Sequence, residues 1–243
     1  MDAMRDAAKA EGERVMGTLP ARVAALDALV AELFPIASPS AAHAKFLAGA
    51  PGGAANAEVG AALSRVLDEM AAASGELGTV ARWISLAVPK VEDGGNWGVE
   101  VQHHAHKLIK DVIKKLREEG AEAPKYYAER AGALEKFTGS KDRVTDTTTS
   151  KTASTGGKDG DSTVESTASS TKELAKEPMA PLADAVASVA AMDTKWYFTA
   201  KAWLEDMRDE LAVVADTLEK NVEKITAPKG SQGGGGGGAM SYY

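Results

Sequence analysis

The chain has 243 residues, 26% of them charged, a formal net charge of −7 and no cysteine. The absence of thiols excludes a disulfide framework and any cysteine-based metal site or nucleophile, and it fits a reducing compartment. An acidic balance without a basic block argues against nucleic acid as a partner, and no stretch reaches the roughly 20 apolar residues of a membrane span. No N-terminal run has the apolar core of a secretory signal, so a cytoplasmic location, with the nucleus left open, is expected. The chain is 44% hydrophobic but only 5% aromatic. Much of the apolar fraction is alanine, which suits one domain of long, closely packed helices.

The first predicted helix runs from about Asp2 to Phe34. Val15, Leu19, Val23, Leu26, Val30 and Leu33 recur every three or four residues, the mark of one buried stripe. Gly12, Gly17 and Pro20 predict fraying or a kink in its early half. Pro35 and Pro39 end it, an alanine-, glycine- and proline-rich connector follows, and Asn56 is a candidate cap for the next helix. Helix two, about Ala57–Ala87, carries Val59, Leu63, Val66, Met70, Leu77, Val80 and Ile84 in a heptad-like series. Pro89 disfavours helical geometry at Val88 and should stop it there.

Helix three is expected from near Val99, with Val101, Ala105, Leu108, Val112 and Leu116 on one side. Gly120 and Pro124 interrupt it; Tyr127, Ala131, Leu134 and Phe137 resume the stripe, as one kinked helix or two stacked pieces. Gly139–Ser170 is dominated by Ser, Thr, Lys, Asp and Gly and reads as a disordered polar insert. The last helix should begin between Thr171 and Pro181. Leu204, Met207, Leu211, Val214, Leu218, Val222 and Ile225 give it the cleanest period in the chain. Nothing reads as a strand. The expectation is an all-α, antiparallel four-helix bundle. Helices one to three occupy residues 1–138, the insert 139–170, the final helix 171–227 and a flexible tail 228–243. Up-down-up-down order puts the Pro89–Gly98 loop and the C-terminus at one end, and the two other connectors at the opposite end.

The loop between helices two and three is the most informative stretch. Its run Val88-Pro89-Lys90-Val91-Glu92-Asp93-Gly94-Gly95-Asn96-Trp97-Gly98-Val99-Glu100-Val101-Gln102 resembles the corresponding loop of the REG (11S) family of ATP-independent proteasome activators. There the pattern reads roughly Ile-Pro-Arg-Ile-Glu-Asp-Gly-Asn-Asn-Phe-Gly-Val-Ala-Val-Gln. Lys125–Gly132 resembles the family's Lys-Tyr-Phe-Ser-Glu-Arg-Gly segment. Asn221–Ile225 followed by Pro228-Lys229-Gly230 resembles its final-helix ending. The resemblance implies a protomer that assembles into a ring, a heptamer by family analogy, and caps the 20S core proteasome without being an enzyme itself. It further implies that Pro89, Lys90, Val91, Glu92, Asp93, Gly94, Gly95, Asn96, Trp97 and Gly98 form an activation loop. Such a loop presses on the α-subunits and holds their gate open. Gly95 stands where relatives usually carry the first asparagine of a pair.

The tail closes with Met240, Ser241, Tyr242 and Tyr243 after a glycine run. From Lys229 to Gly238 a flexible coil spans on the order of 17 Å, the length of a tether. Relatives often end in Gly-Met-Ile-Tyr, which Met240 and Tyr243 match by type while Ser241-Tyr242 carries one extra residue and lacks the isoleucine, and the resemblance implies that the tail tip docks between α-subunits. Repetition around a ring would turn weak single contacts into tight binding.

Other clusters suggest less. His103 and His106 share a helix face, but His43 is the only other histidine not beside them, and zinc needs three or four converging ligands. They read as a solvated or subunit-facing surface, and no metal or cofactor is expected. Glu205-Asp206 and Asp209-Glu210 read as exposed helix faces. Trp196, Tyr197, Phe198 and Trp203 read as packing. Periodicity alone also fits a structural or lipid-associated helical bundle; the loop and tail resemblance is what favours the activator.

Overall fold

The computed structural model describes residues 1–50, 55–90, 97–135, 140–152, 166–178 and 183–228. Among the described residues there are six helices: α1 (Asp2–Leu33), α2 (Pro39–Gly49), α3 (Ala57–Ala87), α4 (Trp97–Glu122), α5 (Pro124–Glu135) and α6 (Ala183–Thr226). The four long ones, α1, α3, α4 and α6, form the antiparallel bundle. α1 packs on α3 and α6, and α4 packs on the same two helices from the other side, so α1 and α4 are diagonal partners. The predicted stripes meet at the centre. All seven stripe residues of helix two are buried, as are Leu204, Met207, Leu211, Val214, Leu218 and Ile225 of the last helix.

α1 is continuous through the residues expected to weaken it. Pro20 lies on the solvent face, where water can satisfy the carbonyl that loses its partner, while Leu19 on the core side is fully buried. Gly12 is a close-packing site rather than a weak point. A Cβ there would lie 2.6 Å from Trp83 Cβ, so only glycine lets α1 approach α3 at the buried indole.

The connector after α1 hides a helix that its composition did not suggest. In α2, proline at the first position and buried Ala42 and Phe46 hold the segment against α6. Tyr197 on α6 is the anchor. Its ring meets Phe34 and Phe46 edge-on at 5.1 and 5.7 Å, and its hydroxyl accepts the Ile36 amide hydrogen at 3.3 Å. Asn56 caps α3, accepting from Val59 N at 3.2 Å.

Three expectations are corrected. Of the two forms left open for the interrupted third helix, the structure has two helices; the correction is to the phase of the second, since α5 buries Tyr126, Arg130 and Ala133, one residue out of step with the expected Tyr127 stripe, and Tyr127 is 55% exposed. The break at Ala123–Pro124 resets the helical phase. Second, part of the polar insert is paired. Strands β1 (Ser140–Thr152) and β2 (Ser166–Pro178) form an antiparallel ribbon whose register sets Asp142 opposite Lys176, Asp146 opposite Lys172 and Val144 opposite Leu174. The ribbon touches no helix among the described residues. Third, α6 therefore begins at Ala183, beyond the expected start between Thr171 and Pro181.

Candidate functional site

The loop and the tail leave the bundle at the same end, and their roots are in contact. Val88 is extended (φ −62°, ψ 122°), which ends α3 as Pro89 requires. Pro89 is half-buried and Lys90 exposed. Val91, Glu92, Asp93, Gly94, Gly95 and Asn96 lie outside the described residues, as do Met240, Ser241, Tyr242 and Tyr243. The chain re-enters at Trp97, the first residue of α4, two residues before the expected start.

Gly98 is the first point of closure. It is buried, and a Cβ on it would fall 2.1 Å from the Pro228 carbonyl oxygen and 2.5 Å from Pro228 Cα. No larger residue fits without moving the chain that leaves α6. One turn further on, Gln102 is fully buried at 0% exposure. Its Nε2 donates to the Ile225 carbonyl at 2.7 Å and to the Ala87 carbonyl at 3.3 Å. Both carbonyls lie in the last turn of a helix, where no intrahelical N–H is available. One side-chain amide thus ties together the end of α3, the start of α4 and the end of α6.

Gln102 matches the family pattern, and the resemblance implies no role for it. A signal was present: it lies three residues before Ala105 on the face that continues through Ile109, Val112 and Leu116, all buried. A glutamine in that phase must find buried partners.

The histidines sit beside this junction but do not converge. His103 and His104 are exposed and His106 is half-buried, while His43 lies on α2 at the opposite end. Burial, then the neighbouring Lys110 and His103, lowers the His106 pKa. Among the described residues no group of three or more His, Asp or Glu is placed to hold a metal ion. Trp196 and Tyr197 are buried in the core, with Phe198 and Trp203 packed against it. No helix among the described residues is long and apolar enough to cross a membrane.

A model of the family described as proteasome activator PA28, C-terminal, matches residues 53–152 and 142–235. The chain belongs to the PA28 family of proteasome activators. Proteasome activator complex subunit 3 of Homo sapiens is 23% identical over 153 residues, covering 63% of this chain and 45% of that protein. The chain thus spans about half the length of the curated relatives it matches. Among solved structures, the 11S subunit PA28 of the Plasmodium falciparum proteasome superposes with a TM-score of 0.50 at 21% identity, covering 72% of this chain and 60% of that one. The trypanosome activator PA26, solved in complex with the yeast 20S proteasome, gives a TM-score of 0.55 at 12% identity over 96% of this chain and 98% of that one. At these identities the superpositions establish the fold.

Proposed function

We propose that the protein is an ATP-independent activator of the 20S core proteasome, working in the cytoplasm as a homo-oligomeric ring, a heptamer by analogy with its family. Its C-terminal tails, ending in Met240-Ser241-Tyr242-Tyr243, dock between α-subunits. The loop Pro89–Gly98 then holds the α-ring gate open, so peptides enter the chamber and the core's own sites cleave them. The protein contributes no catalysis and needs no cofactor.

One observation carries this reading. The root of the loop and the root of the tail are packed together, Gly98 against Pro228 and Gln102 against Ile225. A ring docked by its tails therefore presents its loops to the same surface. Many tails on one ring also raise the effective concentration of each, so individually weak ends bind tightly together.

The test is fluorogenic-peptide hydrolysis by core proteasome with and without the purified protein, together with light scattering. A particle near seven times the 25.2 kDa protomer and stimulated hydrolysis are expected. Deleting Met240–Tyr243 should abolish binding and stimulation together, whereas Asn96→Tyr should leave a ring that binds without stimulating. A strictly monomeric particle, or tail-deleted rings that stimulate at ordinary concentrations, would overturn the reading.

A further inference from the structure

We propose that Gln102 is a positioning residue that couples tail docking to loop placement; this rests on the activator reading above. A loop that presses on a gate must have both feet fixed relative to the docked tail. In this protein the upstream foot is the end of α3, and the downstream foot is the first turn of α4. The tail begins at the end of α6. All three meet at one side chain.

The geometry makes this seam stiff. Gln102 Nε2 bridges Ala87 O and Ile225 O, two carbonyls that α3 and α6 leave unpaired at their ends. A second contact lies one turn earlier on the same face of α4, where Gly98 sits against Pro228 with no room for a methyl group. Two successive turns of α4 therefore grip the chain that becomes the tail. Displacement of that chain on docking passes to α4 through Pro228 and Ile225, and to α3 through the shared amide. Glutamine suits this task because a single Nε2 carries two hydrogens that can point at two different acceptors. A glutamate of the same length has none to donate when ionised. Gln102 Oε1 is buried and accepts nothing from the described residues. The donor side of the amide is thus what the fold uses.

The coupling separates affinity from efficacy. Tail docking depends on the tip, far along the chain from Gln102. Gate pressure depends on where the loop's feet stand once docking is complete. Loss of the seam should leave the first intact and weaken the second.

The experiment compares wild-type, Gln102→Met and Gly98→Ala rings. Gln102→Met keeps the side chain's length without a donor. Gly98→Ala drives a methyl group into Pro228. Each is titrated against core proteasome, and half-saturating concentration and plateau hydrolysis are read separately. Half-saturation should stay within about twofold of wild type while the plateau falls about fivefold or more in both variants. A role confined to local packing would move both parameters together, or neither, and either result overturns the proposal. Residue-resolved hydrogen exchange on the free rings tests the linkage without the proteasome. In the variants the Ala227 amide, which donates to Glu223 O at 2.9 Å, should exchange about threefold faster or more, together with the amides of residues 97–101. Acceleration around residue 102 with Ala227 unchanged would overturn the coupling. Failure of the wild-type ring to stimulate at all would instead overturn the activator reading, leaving the exchange result to judge the seam.

Discussion

Arg130 Nε lies 3.0 Å from Asp193 Oδ1, an ion pair buried at the end of the bundle opposite the loop. Tyr126 donates its hydroxyl hydrogen to the same carboxylate oxygen at 2.9 Å, and Asn56 Nδ2 donates to Oδ2 at 3.1 Å. Asp193 on α6 thus gathers the cap of α3 and two residues of α5. Burial, then the Asp193 charge and the hydrogen bond to it, pushes the Tyr126 phenol well above its ordinary range.

Removing the carboxylate leaves Arg130 buried without its Asp193 partner and two further donors to find other acceptors. Asp193→Ala removes the acceptor of three buried hydrogen bonds and should cost about 1–3 kcal/mol in chemical denaturation. The loop end lies far along α6, so the stimulation of hydrolysis by rings that still assemble should be normal. A variant as stable as wild type would show that the cluster is not an anchor.

Gly12 predicts an over-packing effect at the other end. Gly12→Val forces side-chain atoms into the Trp83 indole and should destabilise the protomer by about 1–3 kcal/mol. Gly17→Ala is the control, because a Cβ there meets nothing within 4 Å. Replacing glycine by alanine in a helix interior should then be neutral or stabilising by up to about 1 kcal/mol. Equal responses at the two positions would refute the close approach of α1 to α3.

A third prediction concerns pH. Glu119 Oε2 is buried and has no hydrogen-bond partner among the described residues, and burial, reinforced by Asp206 and Glu210 against the opposing Lys115, raises the carboxyl pKa. A folded pKa above the unfolded value means that the native state holds the proton more tightly. The group therefore costs stability as pH rises from its unfolded pKa through the raised folded one. Glu119→Gln should raise the melting temperature at pH 7, with the gain vanishing below about pH 4, where both states are protonated. Parallel melting curves across that range would contradict the assigned burial.

The ribbon yields the fourth. Since β1 and β2 contact no helix among the described residues, replacing 140–178 by a short glycine-serine linker should leave unfolding stability within about 0.5 kcal/mol of wild type. Ring mass and stimulation should persist. Loss of assembly would mean that the ribbon takes part in subunit contacts.

Legibility in the sequence followed the strength of the period. α3 was placed residue for residue, because seven apolar positions and a capping asparagine all agree. α2 was missed, because its alanines, glycine and proline carry no stripe and Tyr197 on another helix supplies its anchor. In α5 the pair Tyr126-Tyr127 offers two phases, and the buried one is chosen by Asp193, 67 residues away in sequence. The ribbon was read by composition, which is polar throughout, whereas cross-strand complementarity exists only between segments. The loop was legible by resemblance; the glutamine beneath it was visible only as a polar residue in a buried phase.

The tryptophans are distributed in a way that lets the bundle report on itself. Trp83 lines a recess with Arg5, Ala87 and Thr226 at the loop end, whereas Trp196 and Trp203 stand edge-to-face, 6.0 Å apart, toward the Asp193 end. Trp196 also donates its indole hydrogen to Glu129 at 2.9 Å. Single-tryptophan versions would give each end its own optical signal. Emission from Trp83 would follow solvent reaching the α1–α3 contact, and emission from Trp196 would follow release of α5. Opening at the loop end is thereby separable, by colour alone, from fraying at the other.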